Sequence, residues 1–336
     1  MNAQSQMNPY ANLLAKFRSF GGIANNIEIR KGDYGYGLFS IDESKTTTLL
    51  VPEKLMIQLE WVDVDEHGKL LLKPICPLPA ERKDFFLEFE RNFSWGAGVR
   101  ENILSFQQEF FELPDSIKRR LLEFGWRKEF FTKPSNKTAF EQFKRTRHFK
   151  RNEKSFLIPI LELVNHSSRA KNDYLRHPNM GLKGKFKGEI FVSYNFNFNF
   201  DAIGIYQNMW ILEPRNQTLS GTIDIKYSKY LFSIGNFIED YNIVNNVRIP
   251  KIIKIGNQIH LSYLVLSKEK NGALKELFIK LMQHVGINLN ISSPLFDYIV
   301  DINKKYYQSL LEELNKHSSR VIDDLKMVTN IQLSNL

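Results

Sequence analysis

The chain has 336 residues, a formal net charge of +9, 43% hydrophobic and 25% charged residues, and one cysteine, Cys76. Such a composition holds enough apolar surface for a packed core and excludes a fully disordered chain. A single cysteine excludes an intrachain disulfide and a cysteine-based zinc centre, and it fits a reducing compartment.

The length exceeds one average domain, so two lobes are expected. Met1 to Lys16 mixes Gln, Asn and Ser and has no basic start leading into an apolar run. No secretory signal is expected there, and the expected location is cytoplasmic, with a nuclear or host-delivered one left open. No run approaches the roughly 20 apolar residues that span a bilayer, so a soluble chain without a membrane partner is expected.

From Ile27 to Val51 the text reads strand, turn, strand: Ile27-Glu28-Ile29 alternates, Gly32 to Gly37 is punctuated by glycine, and Leu49-Leu50-Val51 runs into Pro52. Pro74, Pro77 and Pro79 then lead into helical spacing, with Phe85, Phe86, Phe89, Ile103, Leu104, Ile117, Leu121 and Leu122, and Pro134-Ser135-Asn136 marks a break. Strand signals return over Phe156 to Val164 and Glu189 to Phe200. After Pro214 the character changes. Residues 249–266 are mixed with strand-like stretches, and Ala273, Leu274, Leu277, Phe278, Leu281 and Met282 share one helical face. Further helices carry Leu310, Leu311 and Leu314, then Val321, Ile322, Leu325 and Val328. The predicted class is α+β: a β-fold over residues 20–214 with a helical insert at about 81–143, then a mostly helical lobe over residues 215–336.

The basic residues are spread along the chain except between Lys137 and Lys154, where Lys144, Arg145, Arg147, Lys150 and Arg151 cluster. This stretch reads as a solvated basic face; nucleic acid is a partner that the charge permits but the spread does not favour.

Three segments carry the chemistry. Gly35-Tyr36-Gly37-Leu38-Phe39 has two glycines that let a backbone turn tightly and approach a ligand, though glycine pairs are common in hairpins and the segment alone reads first as a structural turn. Pro159 to Ser167 reads as an apolar strand ending in polar Asn165-His166-Ser167, suited to hydrogen bonding a heterocycle; His166 alone reads equally as a structural histidine. Gly188 to Tyr194 is followed by Asp201 to Tyr206, and alone reads as core strand with aromatic filling.

In order and spacing these segments resemble the SET-domain protein-lysine N-methyltransferases, and in particular the Rubisco large-subunit methyltransferase branch. The likeness runs from about Ile27 to Pro214. It rests on the glycine-pair hairpin running to Val51-Pro52, a helical insert, Pro-x-x-acidic-x-x-Asn-His-Ser at Pro159 to Ser167, and a Gly-Glu strand ending in Ser193-Tyr194. The resemblance implies S-adenosylmethionine as cofactor and a lysine of a protein substrate as methyl acceptor, with no metal required.

It places Tyr194 and Tyr206 as catalytic residues, the hydroxyl of Tyr194 orienting the amine and Tyr206 lining the lysine channel. It places Tyr36, Gly37, Leu38, Thr146, Arg147, Glu162, Asn165, His166 and Tyr194 around the cofactor, with the Thr146-Arg147 and Glu162 carbonyls ringing the methyl group and the amine. Tyr174 and Trp210 read better as core. The chain departs from the family at Tyr206-Gln207-Asn208, which stands for Tyr-Gly-Phe and leaves the adenine-stacking role to Met209, Trp210 or another residue. A shortened stretch between Asn165 and Gly188 contains His177-Pro178-Asn179, a stand-in for the Pro-Asn of other branches. The alternatives are a SET-like binding module without catalysis, which the altered tripeptide favours, and a nucleic-acid-binding protein built on the basic stretch. The helical insert and the C-terminal lobe are expected to face the protein substrate.

Overall fold

The computed structural model describes residues 9–33, 35–123, 125–126, 128–151, 153–167, 170, 175, 179–192, 218–235, 241–244 and 247–336. The chain is α+β with several small sheets, and it divides into two compact units. The first comprises Met1–Phe106 and Pro134–Phe196; the second comprises Gln107–Lys133 and Asn197–Leu336. The stretch read as one helical insert is thus divided, since its middle clusters with the C-terminal residues.

The first unit opens on a helix, Pro9–Ser19, that the sequence reading left without structure. Tyr10, Leu13, Leu14 and Phe17 fall at i, i+3, i+4 and i+7, and the last three are buried on one stripe. The expected hairpin follows as Ile27–Gly32 against Gly35–Ser40, with Ile29 opposite Leu38 and Gly32 opposite Gly35. Ile23–Asn25, Thr47–Val51 and Met180–Gly184 form a three-stranded antiparallel sheet with the middle strand in the centre. Gly181 is there because a Cβ would lie 1.9 Å from the Leu49 carbonyl oxygen, closer than any side chain can approach. The core joins Leu38, Leu49 and Val51 from these strands to Phe85, Phe89 and Phe93 from the Ala80–Phe93 helix. Each such side chain contributes on the order of 1.5–3 kcal/mol when removed from water.

Two helices of the insert position the site. Ala80–Phe93 ends at Ser94, and the turn beyond it is pinned by Trp95, whose indole N–H donates to the Gly68 carbonyl at 2.7 Å while its ring meets Phe143 at 5.0 Å. Asn136–Arg147 begins at a capping box in which Ser135 and Thr138 satisfy each other's backbone N–H. It buries Ala139, Phe140 and Phe143 and delivers Arg147 at its last residue.

The segment from Phe156 to Ser167 corrects the expectation of one long strand. At its start Lys154–Leu157 pairs with Ile57–Gln58 on one side and Phe149–Arg151 on the other. The chain then turns through a short 3-10 segment, Leu161–Leu163, before the two-residue strand Asn165–His166. Pro159 has no N–H to give to a ladder, and Ile160 sits at φ 68°, outside the β region, so continuous pairing ends there.

Among the described residues from 218 onward, helices Asn271–His284, Leu289–Leu314 and Arg320–Ser334 occupy the C-terminal end. Before them lies a four-stranded sheet in the order Ile223–Tyr227, Tyr230–Ile234, Gln258–Leu261, Ile252–Ile255. Its strands alternate, for example Tyr230, Phe232 and Ile234 buried with Leu231 exposed, a period of two that the sequence displays openly. Asn288 and Ser319 cap the last two helices by accepting from Ile291 N and Ile322 N. No helix among the described residues is long and apolar enough to cross a membrane.

Candidate active site

The first two segments singled out in the sequence and the described part of the third, Gly188 to Val192, meet in the first unit. The backbone of Gly188 to Ile190 runs antiparallel to the hairpin strand: Ile190 N donates to Leu38 O at 2.8 Å, Ser40 N donates to Gly188 O at 3.0 Å, and Phe39 bridges Glu189. Phe191–Val192 then pairs in parallel with Asn165–His166, extended by Ser167 N donating to Val192 O at 3.1 Å. The hairpin strand also lies beside the Leu161–Leu163 turn.

At the centre of this junction the Asn165 amide donates to Glu189 Oε1 at 2.6 Å. Gly37 is the reason the two fit. A Cβ at Gly37 would stand 2.5 Å from Glu189 Oε1 and 3.1 Å from Asn165 Nδ2, so the hairpin backbone runs directly against this pair. Gly35, at φ 94°, meets nothing within 4 Å where its Cβ would be, which leaves open space beside the turn. Burial pushes the Glu189 carboxyl above the usual carboxylate range, the hydrogen bond from Asn165 pulls it back, and Asp33 adds repulsion. The Tyr36 ring is half-buried and packs edge-on against Phe93 at 5.6 Å and Tyr10 at 6.0 Å. Leu38 is fully buried and serves the site through its backbone.

A second group adjoins the first through the chain from Glu162 to Asn165. Arg147 Nη1 donates to the Glu162 carbonyl oxygen at 3.1 Å, and its guanidinium lies 5.8 Å from the centre of the Phe143 ring. Thr146 spends its hydroxyl inside its own helix, donating to Gln142 O and Phe143 O. The Glu162 side chain is buried and accepts a hydrogen bond from the Ser94 hydroxyl, with Glu90 also buried beside it. His166 is placed by its backbone only. Tyr194 and Tyr206 lie outside the described residues, as do Tyr174, His177, Pro178, Met209 and Trp210.

Sequence reading missed Glu90, Ser94 and the pairing role of Glu189. For Glu90 a signal existed: Phe86, Phe89, Glu90 and Phe93 stand at i, i+3, i+4 and i+7, so a carboxyl occupies a position that the helix buries. The basic stretch is partly turned to internal use, with Lys144 on Glu141 at 2.7 Å, Arg147 on Glu162 O, and Arg151 on Glu53 at 3.4 Å. A cleft of about 440 Å³ among Leu59, Asp63, Lys73, Lys137, Arg145 and His148 contains none of Gly37, Glu162, Asn165 and Glu189. No group of three or more His, Cys, Asp or Glu among the described residues could hold a metal ion.

No family model matches the chain, and no curated protein matches it. Among solved structures it is similar to the SET domain of LSMT, the Rubisco large-subunit methyltransferase, bound to lysine and AdoHcy. That likeness has 15% sequence identity and a TM-score of 0.45 over 98% of this chain and 90% of the other. Residue roles are not transferable at such a distance, so the candidate site stands on its own geometry.

Proposed function

We propose that this chain is an S-adenosylmethionine-dependent protein-lysine N-methyltransferase built on a SET-like fold. The observation that carries the reading is the meeting of Gly37, Asn165 and Glu189, from three segments far apart in sequence, with Gly37 so close that a Cβ there would displace the other two side chains. A hairpin that only turned the chain would have no need of that approach.

The residues present fit the cofactor in kind. The exposed turn at Gly35 leaves backbone uncovered, and Asn165 and Glu189 offer polar groups of the kind that a nucleoside with a cationic sulfonium calls for. When bound, the cofactor supplies an activated methyl group for in-line displacement. The chain's own part is to orient and to dry. A lysine amine with an ordinary pKa of about 10.4 is mostly protonated at neutral pH, and a buried channel disfavours the ammonium form. In this reading Tyr194 holds the neutral amine through its hydroxyl, Tyr206 lines the channel, and Arg147 keeps the Glu162 carbonyl fixed at the edge of the site. Tyr36, Leu38, Thr146 and His166 contribute to the cofactor wall, chiefly through backbone.

Calorimetric titration with S-adenosylmethionine, followed by incubation with radiolabelled cofactor and a whole-cell lysate, tests the proposal. Saturable binding and a labelled protein band are expected. Binding without transfer would favour the SET-like module without catalysis, to which Gln207-Asn208 points, and absence of binding would overturn the reading.

A further inference from the structure

The turn that carries Glu162 is held in a conformation its residues resist. Ile160 is β-branched, fully buried, and at φ 68° and ψ −46°, a region sparsely populated by such residues. Conformations of this kind persist where the surroundings over-determine them. Two clamps are visible: Arg147 on the Glu162 carbonyl, and the Glu162 side chain itself.

That side chain is buried against a second carboxyl. Glu90 and Glu162 are 1% and 5% exposed, and the adjacent residues Ser94 and Trp95 hold one carboxyl each, which brings the two together. Ser94 donates its hydroxyl to Glu162 Oε1, and Trp95 N donates to Glu90 Oε2 at 3.4 Å. Glu90 Oε1 and Glu162 Oε2 receive no donor. An ionised carboxylate only accepts, so two of them side by side leave both oxygens unsatisfied and two like charges unscreened; a proton on one makes it a donor to the other. The groups facing the pair are the Arg147 guanidinium from the Asn136–Arg147 helix and Ser94 and Trp95 from the turn after the Ala80–Phe93 helix. One cation beside two carboxyls balances a single negative charge. Burial accordingly pushes the Glu162 carboxyl up to about 7 and the Glu90 carboxyl well above the usual range.

We propose that Glu90 is a positioning residue: Glu90 and Glu162 hold one proton between them as an acid–carboxylate pair, and this hydrogen bond pins the strained turn that leads into Asn165. Its bearing on cofactor binding rests on the methyltransferase reading; the shared proton does not. An unfolded glutamate ionises near pH 4.3, so folding takes up a proton above that value. With both carboxyls raised, Glu162 loses its proton as pH rises through about 7 while Glu90 keeps its own, so the single-proton pair is the state above about 7, and the stability that comes from proton uptake declines from the unfolded pKa upward.

Glu90→Gln replaces the O–H donor by an amide that does not titrate. Urea unfolding of the full chain from pH 5 to 8 is expected to show the wild type losing stability with rising pH and Glu90→Gln showing a flatter profile. S-adenosylmethionine affinity, measured across the same range, is expected to strengthen as pH rises through about 7 in the wild type, where loss of the second proton forms the acid–carboxylate pair, and to change far less in the variant. A structural role alone would lower stability without altering either slope. Infrared difference spectra of the wild type at pH 6 against Glu90→Gln are expected to contain the stretch of one protonated carboxyl. This measurement decides the matter through Glu162→Gln if Glu90→Gln fails to fold. Unchanged slopes, or no carboxyl band at pH 6, would overturn the proposal. Failure of the wild type to bind cofactor at any pH would remove the methyltransferase reading while the unfolding and infrared results still decide the proton.

Discussion

Replacing Gly37 by alanine tests the central junction with one methyl group. The added Cβ would begin 2.5 Å from Glu189 Oε1 and 3.1 Å from Asn165 Nδ2, whereas ordinary contact starts at 3.4 Å. Both groups must therefore move, and their 2.6 Å hydrogen bond breaks or lengthens. A hydrogen bond to a charged group is worth about 1.5–3 kcal/mol, and overpacking costs about 1–3 kcal/mol. Glu189 is half-buried and can swing toward solvent, so the net loss of stability is expected near the low end, about 1–2 kcal/mol. On the methyltransferase reading the same movement disturbs the proposed cofactor wall, and loss of one such contact, about 1.4 kcal/mol, weakens affinity roughly tenfold. Scanning calorimetry and cofactor titration on one preparation read both effects. A lowered melting temperature with unchanged affinity would make the junction a purely structural hairpin contact. Unchanged values of both would show that the glycine is not needed for close approach.

Asn165→Ala removes the donor to Glu189 and should weaken cofactor binding about tenfold or more while circular dichroism stays unchanged. Ser94→Ala leaves the buried Glu162 Oε1 without its hydroxyl donor and should cost about 1.5–3 kcal/mol in urea unfolding. Gly181→Ala forces a Cβ into the Leu49 carbonyl and should cost about 3 kcal/mol or more, seen as a loss of soluble folded protein. Tyr194→Phe should lower turnover about 10²- to 10³-fold with little change in melting temperature, and normal turnover would remove Tyr194 from the mechanism.

Local signals in the sequence were legible where one residue type permits few conformations or where a period repeats. The hairpin could be read because Gly32, Gly35 and Gly37 punctuate it, and the insert and terminal helices because their apolar residues recur at helical spacing. The Pro9–Ser19 helix had the same spacing, masked by the polar residues ahead of it. Of the sheet between Ile223 and Leu261, the strand-like stretches within 249–266 were read, but Ile223–Tyr227 and Tyr230–Ile234 were passed over although their alternation is plain, because the strong helical pattern after Asn271 set the expectation for the lobe. The Pro159–Ser167 segment misled for a physical reason: residues 160–164 are buried throughout, and continuous burial erases the period that separates strand from turn.

The site itself divides along the same line. Asn165 and Gly37 belong to short motifs, so their importance could be read locally, but their meeting could not, because it depends on where a third segment bearing Glu189 comes to lie. Glu90 shows the limit more sharply. A carboxyl on the apolar stripe of a helix announces that something must compensate it, since burial of an unpaired charge is too unfavourable to stand. The compensating groups are the neighbouring turn and a glutamate whose serine partner is 68 residues away in the chain, and no spacing rule connects them. A misplaced charge in a hydrophobic pattern is therefore evidence of burial before it is evidence of chemistry. Here the carboxyl lies beside Glu162, two residues beyond the strained backbone at Ile160, and it is that coincidence that makes a structural oddity into a candidate for control of the site.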